Sequence, residues 1–381
     1  MKKSLLALAV LSAFASAAQA QVTLGGTIAI NIKDYKIGNT TRTVENELRI
    51  DDDYTSRFWL SGTEDLGGGN AALFYIENRF NTDVGSTGTG NGLSNGETFV
   101  GLKGAWGQMT AGRHSLMSSQ GLATEYLTGG GGASTLPASF WGTYSILNSS
   151  NGTALDTTRR NNSIVYRLPS NLGGFNGTLA YSTNSSGTEG TINGTSYYSN
   201  GGEYYMQAGY SNGPVYTSLA YRNFQLEGRG ANPTTGAPAA GNDAKQVRLT
   251  GYYKFSFGLK AGLTIDRSYL IPVVSNVTGS AIKRSAWELP VSYAFGSNTL
   301  FANFTKAGDL STAAHTGAKM FVFGYDYSLS KRTDVGVYYF KLKNDTAGTY
   351  QPFNSGTTGT GSPLLAGESA STLAFGIKHT F

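Results

Sequence analysis

The sequence predicts an all-β protein, a transmembrane antiparallel β-barrel of sixteen strands. Three observations support this prediction. The composition is rich in strand and turn formers, segments of about ten residues alternate between apolar and polar, and the connections between them alternate between short and long. No apolar stretch of the sequence is suited to a helical span, which requires roughly 18 uncharged apolar residues.

The composition points to strands rather than helices. Hydrophobic residues make up 39% of the 381-residue chain and charged residues 14%, and there are 52 Gly, 23 Tyr and 19 Phe. This mixture is poor in helix formers and favours strands joined by turns. The chain has no cysteine, so an exported protein of this size must be held by its sheet, as a closed barrel is.

The first twenty residues are predicted to be a signal peptide, which leaves residues 21–381 for the barrel. Lys2 and Lys3 supply positive charge, an apolar stretch follows, and the segment ends on the small-x-small pattern Ala18-Gln19-Ala20. Removal of those two lysines lowers the net charge from +5 to +3. Because no run of Lys or Arg follows, the sequence argues against a nucleic-acid partner.

The segments alternate with the period of a strand that has two different faces. Val22, Leu24 and Ile28 share one face of the first segment, whereas Thr23 and Thr27 share the other. A soluble β-sandwich would show the same period, so the connections decide between the two folds. Tight Gly, Asn, Ser and Pro turns alternate with long polar loops, as in barrels of the Gram-negative outer membrane, with turns on the periplasmic side.

Sixteen strands fit between these connections, and at that number the lumen of a barrel stays open. The predicted strands lie near 22–37, 53–65, 70–82, 97–104, 107–113, 159–168, 174–183, 202–211, 214–225, 242–255, 257–270, 283–294, 298–306, 318–328, 332–343 and 370–381. The last strand alternates up to Phe381, and an amphipathic strand that ends on an aromatic residue looks like the assembly signal of outer-membrane barrels.

Fragments spread over the whole chain resemble the trimeric general porins of β-proteobacteria, the Neisseria and Burkholderia type. Their order and spacing carry the resemblance: Val22-Thr23-Leu24-Gly25-Gly26, Gly62-Thr63-Glu64-Asp65-Leu66-Gly67-Gly68-Gly69, Arg160-Asn161-Asn162-Ser163-Ile164-Val165-Tyr166 and Gly376-Ile377-Lys378-His379-Thr380-Phe381.

The resemblance implies a homotrimeric, water-filled channel for passive diffusion of small hydrophilic solutes and ions. It also implies that the third loop, about 114–158, folds into the lumen as the constriction. In such porins, basic residues of the wall face acidic or polar groups of that loop and create a transverse field. Outer-membrane lipid and lipopolysaccharide are the surroundings that this family implies.

Five basic residues are candidates for the constriction. By strand parity Arg57 and Arg79 point into the lumen, and Lys33 shares their facing. Arg113 and Arg160 flank the inserted loop and match basic positions of the family pattern. For each arginine the alternative is a solvated wall residue or a salt bridge to a nearby carboxylate.

The inserted loop departs from the family pattern, which bears on selectivity. Its only acid before Asp156 is Glu125, so a basic wall faces little opposing charge and weak anion selectivity is the hypothesis. Phe140, Trp141 and Tyr144 lie in the same loop. They leave open a substrate-specific channel, for sugars for example, although packing against the wall is the commoner fate of such residues.

Two further classes of function are alternatives, an enzyme and an adhesin or receptor. An enzyme on a barrel needs catalytic groups at its rim, and the three histidines, His114, His315 and His379, are not spaced to work with a serine or to bind a metal. No cofactor or metal is therefore expected. An adhesin or receptor barrel that acts through its long loops stays open as an alternative.

Overall fold

The computed structural model describes residues 21–41, 46–51, 56–85, 94–116, 159–183, 202–225, 240–274, 277–350 and 364–381. The predicted signal peptide and nearly all of the third loop lie outside these ranges. No helix in the described part of the chain is long and apolar enough to cross a membrane.

The described residues form eighteen strands in one sheet. They are β1 (Gln21–Gly38), β2 (Asn46–Asp51), β3 (Ser56–Gly67), β4 (Asn70–Phe80), β5 (Thr98–Gly104), β6 (Gly107–Ser115), β7 (Arg159–Arg167), β8 (Phe175–Ser182), β9 (Glu203–Asn212), β10 (Val215–Gln225), β11 (Ala240–Lys254), β12 (Leu259–Val274), β13 (Val277–Thr278), β14 (Ile282–Phe295), β15 (Asn298–Ala307), β16 (Ala318–Ser328), β17 (Thr333–Asn344) and β18 (Ser369–Thr380).

The sheet closes into a barrel whose wall is sixteen strands wide. β2 and β3 both pair with β1, and β13 and β14 both pair with β12, so each of these pairs is two segments of one wall strand. The first and last strands, β1 and β18, pair antiparallel over twelve residues and close the barrel. The predicted sixteen-stranded antiparallel barrel is confirmed.

Two strands extend further than the sequence predicted. Asn46–Asp51, placed by sequence in the first loop, pairs with β1 as β2, because Leu48 and Ile50 continue the outward apolar face beside a run of acidic residues that resembles a loop. β12 continues past residue 270 to Val274, since β11 begins at Ala240 and pairs along its whole length. These two loops are therefore shorter than their charge and proline content suggest.

The connections divide the barrel into two rims. Short turns such as Gly67 to Asn70 and Gly104 to Gly107 lie at one end, together with the first strand residue Gln21 and with Phe381. We call this end the short-turn rim. The connections at the other end, the long-connection rim, include 39–45, 308–317 and 345–368.

The two faces of the wall differ as the alternation predicts over most of the sheet. On β12 the side chains of Thr264, Asp266 and Ser268 are buried on the inner face, whereas Leu263 and Ile265 are exposed on the outer face. Apolar side chains outside and polar side chains inside are the arrangement that a lipid-embedded, water-filled barrel requires.

One side of the inner wall is apolar instead. Side chains of β15 to β17 pack there against the connection that follows β17, which contributes Tyr350 and Leu364. The strand residues of this inner apolar cluster include Phe301, Met320, Val322, Tyr338, Phe340 and Leu342. These strands are therefore apolar on both faces, and the alternation of the sequence alone does not reveal which face points into the lumen.

Candidate functional site: an arginine cluster on the inner wall

Arg57, Glu77 and Arg79 form a charged group on the inner face of β3 and β4. The guanidinium Nε of Arg79 donates to Glu77 at 2.5 Å, and Nη1 of Arg57 lies 3.9 Å from the same carboxylate. The side chains of Arg57 and Arg79 are 24% and 19% exposed, whereas Glu77 is 4% exposed. The carboxylate is thus covered by its two partners, and the two arginines face the solvent of the lumen.

Strand register places these three residues together. Arg57 is the direct antiparallel partner of Arg79, and Trp59 is the partner of Glu77. Direct partners on one face of a sheet have Cβ atoms about 5 Å apart, so two arginines placed opposite each other repel unless a carboxylate lies between them. Glu77, two residues from Arg79 on the same face, supplies that charge.

A second charged group lies on β7, β9 and β10 and is buried. The carboxylate of Glu203 accepts from Nε of Arg160 and lies 2.6 Å from Nε of Arg222. All three side chains are at most 3% exposed. Both guanidinium groups also lie over the ring of Phe224, with centroid distances of 4.7 Å for Arg160 and 5.4 Å for Arg222.

A break in strand alternation turns Arg160 inward. Ser163 and Val165 are buried on the inner face of β7, so strict alternation would place Arg160 on the outer face. Asn162 adopts a left-handed conformation with φ of 50°, and the register with β6 shifts between Gly112 and His114. Such irregularities redirect side chains at barrel rims.

Arg159 links the two groups electrostatically. It is close enough to Glu77 and to Arg79 to interact with both, and its neighbour Arg160 belongs to the second group. We call the whole set the inner arginine cluster: Arg57, Glu77, Arg79, Arg159, Arg160, Glu203 and Arg222. Within it five guanidinium groups accompany two carboxylates.

Of the other predicted basic residues, Arg113 contacts Gly96 and Asn161, which adjoin Glu77 and Arg160 of this cluster, whereas Lys33 lies on β1. Lys33 is buried on the inner face of β1, opposite Arg49 of β2. Arg113 is the partner of Thr98, and its guanidinium donates to the carbonyl of Gly96 at 3.1 Å and to the side chain of Asn161.

The predicted residues of the inserted loop lie outside the described residues. They are Glu125, Phe140, Trp141 and Tyr144. At the base of that loop, His114 is buried and hydrogen-bonded to Thr110 and Ser163 at 2.9 and 2.8 Å. Among the described residues, no group of three or more His, Cys, Asp and Glu could hold a metal ion.

Phe381 lies in the seam that closes the barrel. Its backbone N–H donates to the carbonyl of Gly26 at 3.0 Å and its carbonyl accepts from the N–H of Gly26 at 3.1 Å. The ring lies over Gly26, where any larger side chain would overlap it. The last residue of the sequence therefore joins the two ends of the chain.

Sequence reasoning missed a polar network on the opposite wall. Asp266 of β12 accepts from Arg248 at 3.1 Å, from Gln246 at 2.7 Å and from Ser268 at 2.8 Å. The apolar–polar alternation of β11 and β12 could have revealed these residues, because they alternate with the outward Leu249 and Ile265. The network shows that charge on the inner wall is not confined to the inner arginine cluster.

The sequence pattern of the Gram-negative porin family matches residues 7–347. The chain belongs to the Gram-negative porin family. It is 30% identical to outer membrane porin protein 32 of Delftia acidovorans over the whole of both chains. It is 29% identical to major outer membrane protein P.IB of Neisseria lactamica, covering 87% of this chain and 91% of the relative.

The solved structures agree with this assignment. The anion-selective porin from Comamonas acidovorans superposes with a TM-score of 0.73 and 25% identity, covering 95% of this porin and all of that chain. The predicted resemblance to the Neisseria type of porin is confirmed. This porin is thus an outer-membrane β-barrel that forms a channel.

Proposed function

We propose that this porin is a homotrimeric channel, not an enzyme, through which small hydrophilic solutes and ions diffuse passively with a weak preference for anions. In this proposal Arg57 and Arg79 line the constriction, and Arg160 supports the wall beside them through its ion pair with Glu203. The observation that carries it is the excess of guanidinium groups over carboxylates in the inner arginine cluster.

The position of the charges determines which of them act on a passing ion. Both charged groups have two guanidinium groups for one carboxylate, but Arg160, Arg222 and Glu203 are at most 3% exposed, so their charge lies within the wall. Arg57 and Arg79 share one covered carboxylate and are the more exposed arginines. An ion in the lumen therefore meets net positive charge on the β3 and β4 side.

The expected size of the effect is small. A unit charge about 10 Å from an ion in water changes its energy by roughly 0.4 kcal/mol, which is about a twofold change in relative permeability. Salt screens this interaction over about 10 Å at 0.1 M. A preference of a few fold at low salt, and less at high salt, is what a wide pore of this kind should show. The description of the Comamonas acidovorans relative as anion-selective supports the same sign.

The outer face supports the homotrimer in this proposal. Around β1 to β3 the exposed side chains are aliphatic and include Leu24, Ile28, Ile32, Leu48 and Ile50. Elsewhere the outer face carries aromatic residues, which suit the boundary between lipid and water. A large aliphatic patch is typical of a surface that packs against other protein chains.

We also propose that residues 1–20 direct export and are removed. Purified protein from outer membranes should then begin at Gln21, as N-terminal peptide mass would show. Retention of the first twenty residues would contradict this part of the proposal.

Planar-bilayer recording tests the channel itself. Purified protein should give stepwise openings, in groups of three for a trimer, with a conductance that rises in proportion to bulk salt. Protein that folds and inserts without conducting would contradict passive diffusion and would favour a closed, substrate-gated or adhesive barrel.

A further inference from the structure

Three lysines form a row across adjacent strands on the outer surface near the long-connection rim. Lys306 of β15 is the direct partner of Lys319 of β16, and Lys319 is the direct partner of Lys343 of β17. All three are exposed and alternate with buried, inward residues. We call Lys306, Lys319 and Lys343 the lysine row.

The lysine row is unfavourable for the isolated protein. Like charges directly opposite each other in a sheet destabilise it, because their Cβ atoms are only about 5 Å apart. No carboxylate among the described residues lies within ion-pair distance of these three lysines, although other charged pairs form elsewhere on the barrel. Two carboxylates on the flanking connections, Asp309 and Asp345, lie beside the backbone of Gly317.

The surroundings place the lysine row at the boundary between lipid and headgroup. Two residues deeper along β15 and β16 lie Phe304 and Phe321, which are partners of each other on the outer face. Trp287 of β14 is the partner of Lys306 and contacts Phe304, with ring centroids 5.3 Å apart. Aromatic residues mark the membrane interface, so the lysines lie just outside it.

We propose that the lysine row binds the phosphate groups of an anionic glycolipid in the outer leaflet. Lysine ammonium groups are compact charges that suit phosphate, and clusters of basic residues beside a membrane segment attract anionic headgroups. Neighbouring strands are about 4.8 Å apart, so the row spans about 10 Å and accommodates more than one phosphate. The aromatic residues below it contact the acyl chains.

The test uses the full-length mature porin, folded in detergent, and three probes: diphosphorylated lipid A, the same lipid with its phosphates removed, and inorganic phosphate. The variant Lys306→Gln/Lys319→Gln/Lys343→Gln removes the lysine row. The control Lys103→Gln/Lys331→Gln/Arg332→Gln removes three exposed charges at the short-turn rim. Binding is read from native mass spectrometry and from the shift of the thermal unfolding midpoint.

Diphosphorylated lipid A should bind the native porin and the control equally, and the lysine-row variant on the order of 10- to 100-fold more weakly. The unfolding midpoint should rise with lipid only where lipid binds, and the rise should shrink in high salt. Channel conductance should be the same in all three proteins, because the lysine row faces outward. This readout separates failure of the lipid site from failure of the channel proposal.

Four results would overturn the proposal. Equal binding of diphosphorylated lipid A by the variant would show that other residues hold it. Equal binding of the dephosphorylated lipid would show that acyl chains alone suffice. Protection of the native porin by inorganic phosphate at the same concentrations would show a free-anion site, and loss of the trimer in the variant would show a protein contact.

Discussion

Burial determines what each ion pair of the inner wall does. Arg57 and Arg79 keep about a fifth of their side-chain surface open, so their charge reaches ions in the lumen. Arg160 and Arg222 are closed off with Glu203, so their contribution is to the wall itself. In the proposed function, the same residue types therefore serve selectivity in one group and structure in the other.

Removal of Glu203 should destabilise the barrel strongly. Glu203→Gln leaves two buried guanidinium groups without a neutralising charge, and breaking a buried pair in this way typically costs about 3–5 kcal/mol. Chemical unfolding of the detergent-folded protein should show that loss. Glu47→Gln is the matched control, because the Glu47 side chain that pairs with Arg49 is 54% exposed, and pairs open to solvent contribute at most about 1 kcal/mol. Equal effects of the two substitutions would refute the distinction.

Asp309 should make the connection between β15 and β16 sensitive to acid. Its slight burial raises the pKa of the carboxyl, but backbone N–H groups of His315, Gly317 and Thr316 outweigh this and lower the pKa below its usual value. The N–H of Gly317 donates to Oδ1 at 2.9 Å. A lowered pKa in the folded state means that stability is present above the unfolded-state value and is lost as pH falls through the folded one.

Limited proteolysis of the 308–317 connection measures this effect. Cleavage should be slow at pH 7 and should speed up below about pH 4, the ordinary range of an aspartate. Asp309→Asn should cleave faster at pH 7 and lose most of the pH dependence. A variant that kept the native acid response would assign it to another group.

At the scale of the strands, closure of the barrel depends on the contact between its two ends. β1 and β18 must find each other across almost the whole chain, and Phe381 lies at the short-turn end of that seam with its ring over Gly26. An exposed aromatic residue on another strand, such as Phe323 of β16, contributes to the outward surface without touching the seam.

Phe381→Ala should slow assembly more than Phe323→Ala. The first substitution removes the ring that covers Gly26, whereas the second removes a similar area of lipid-facing surface. The rate is measured from the folded fraction after dilution into lipid vesicles. On a gel, folded protein is distinguished as the band that migrates differently when the sample is not heated. If both variants folded at the native rate, Phe381 would not act in assembly.

Alternation was enough to predict most strands and the facing of Arg57 and Arg79. It was not enough for β15 to β17, where an apolar connection packs against the inner wall and both faces are apolar. It also could not reveal the left-handed Asn162 that turns Arg160 inward, since asparagine in a loop-rich sequence gives no such signal. Ion pairs between distant strands, such as that of Glu203, depend on register and lay beyond sequence reasoning.

For the whole molecule, the aliphatic patch on β1 to β3 and the lysine row on β15 to β17 assign different surroundings to different sides of the barrel. The first suits another protein chain, and the second suits an anionic headgroup. A symmetric trimer uses the same patch in every copy, so a single change is repeated three times in the assembly.

Ile28→Arg/Ile32→Arg should therefore dissociate the trimer, because charge would be buried where aliphatic side chains meet. Leu263→Arg/Ile265→Arg places the same charges on the outward face of β12 and should leave the trimer intact where the protein folds. Mass measurement of the detergent-solubilised folded protein distinguishes the outcomes. A trimer that survived the first change would place the contact on another face.

The reversal potential in a KCl gradient tests the central claim most directly. Native porin in a planar bilayer at low salt should favour chloride over potassium, and Arg57→Gln/Arg79→Gln should lower that preference by about twofold for each charge removed. Lys283→Gln/Lys341→Gln, which removes two outward charges, should leave it unchanged. A native potential that favoured potassium, or one unaffected by loss of Arg57 and Arg79, would contradict the proposed role of the inner arginine cluster.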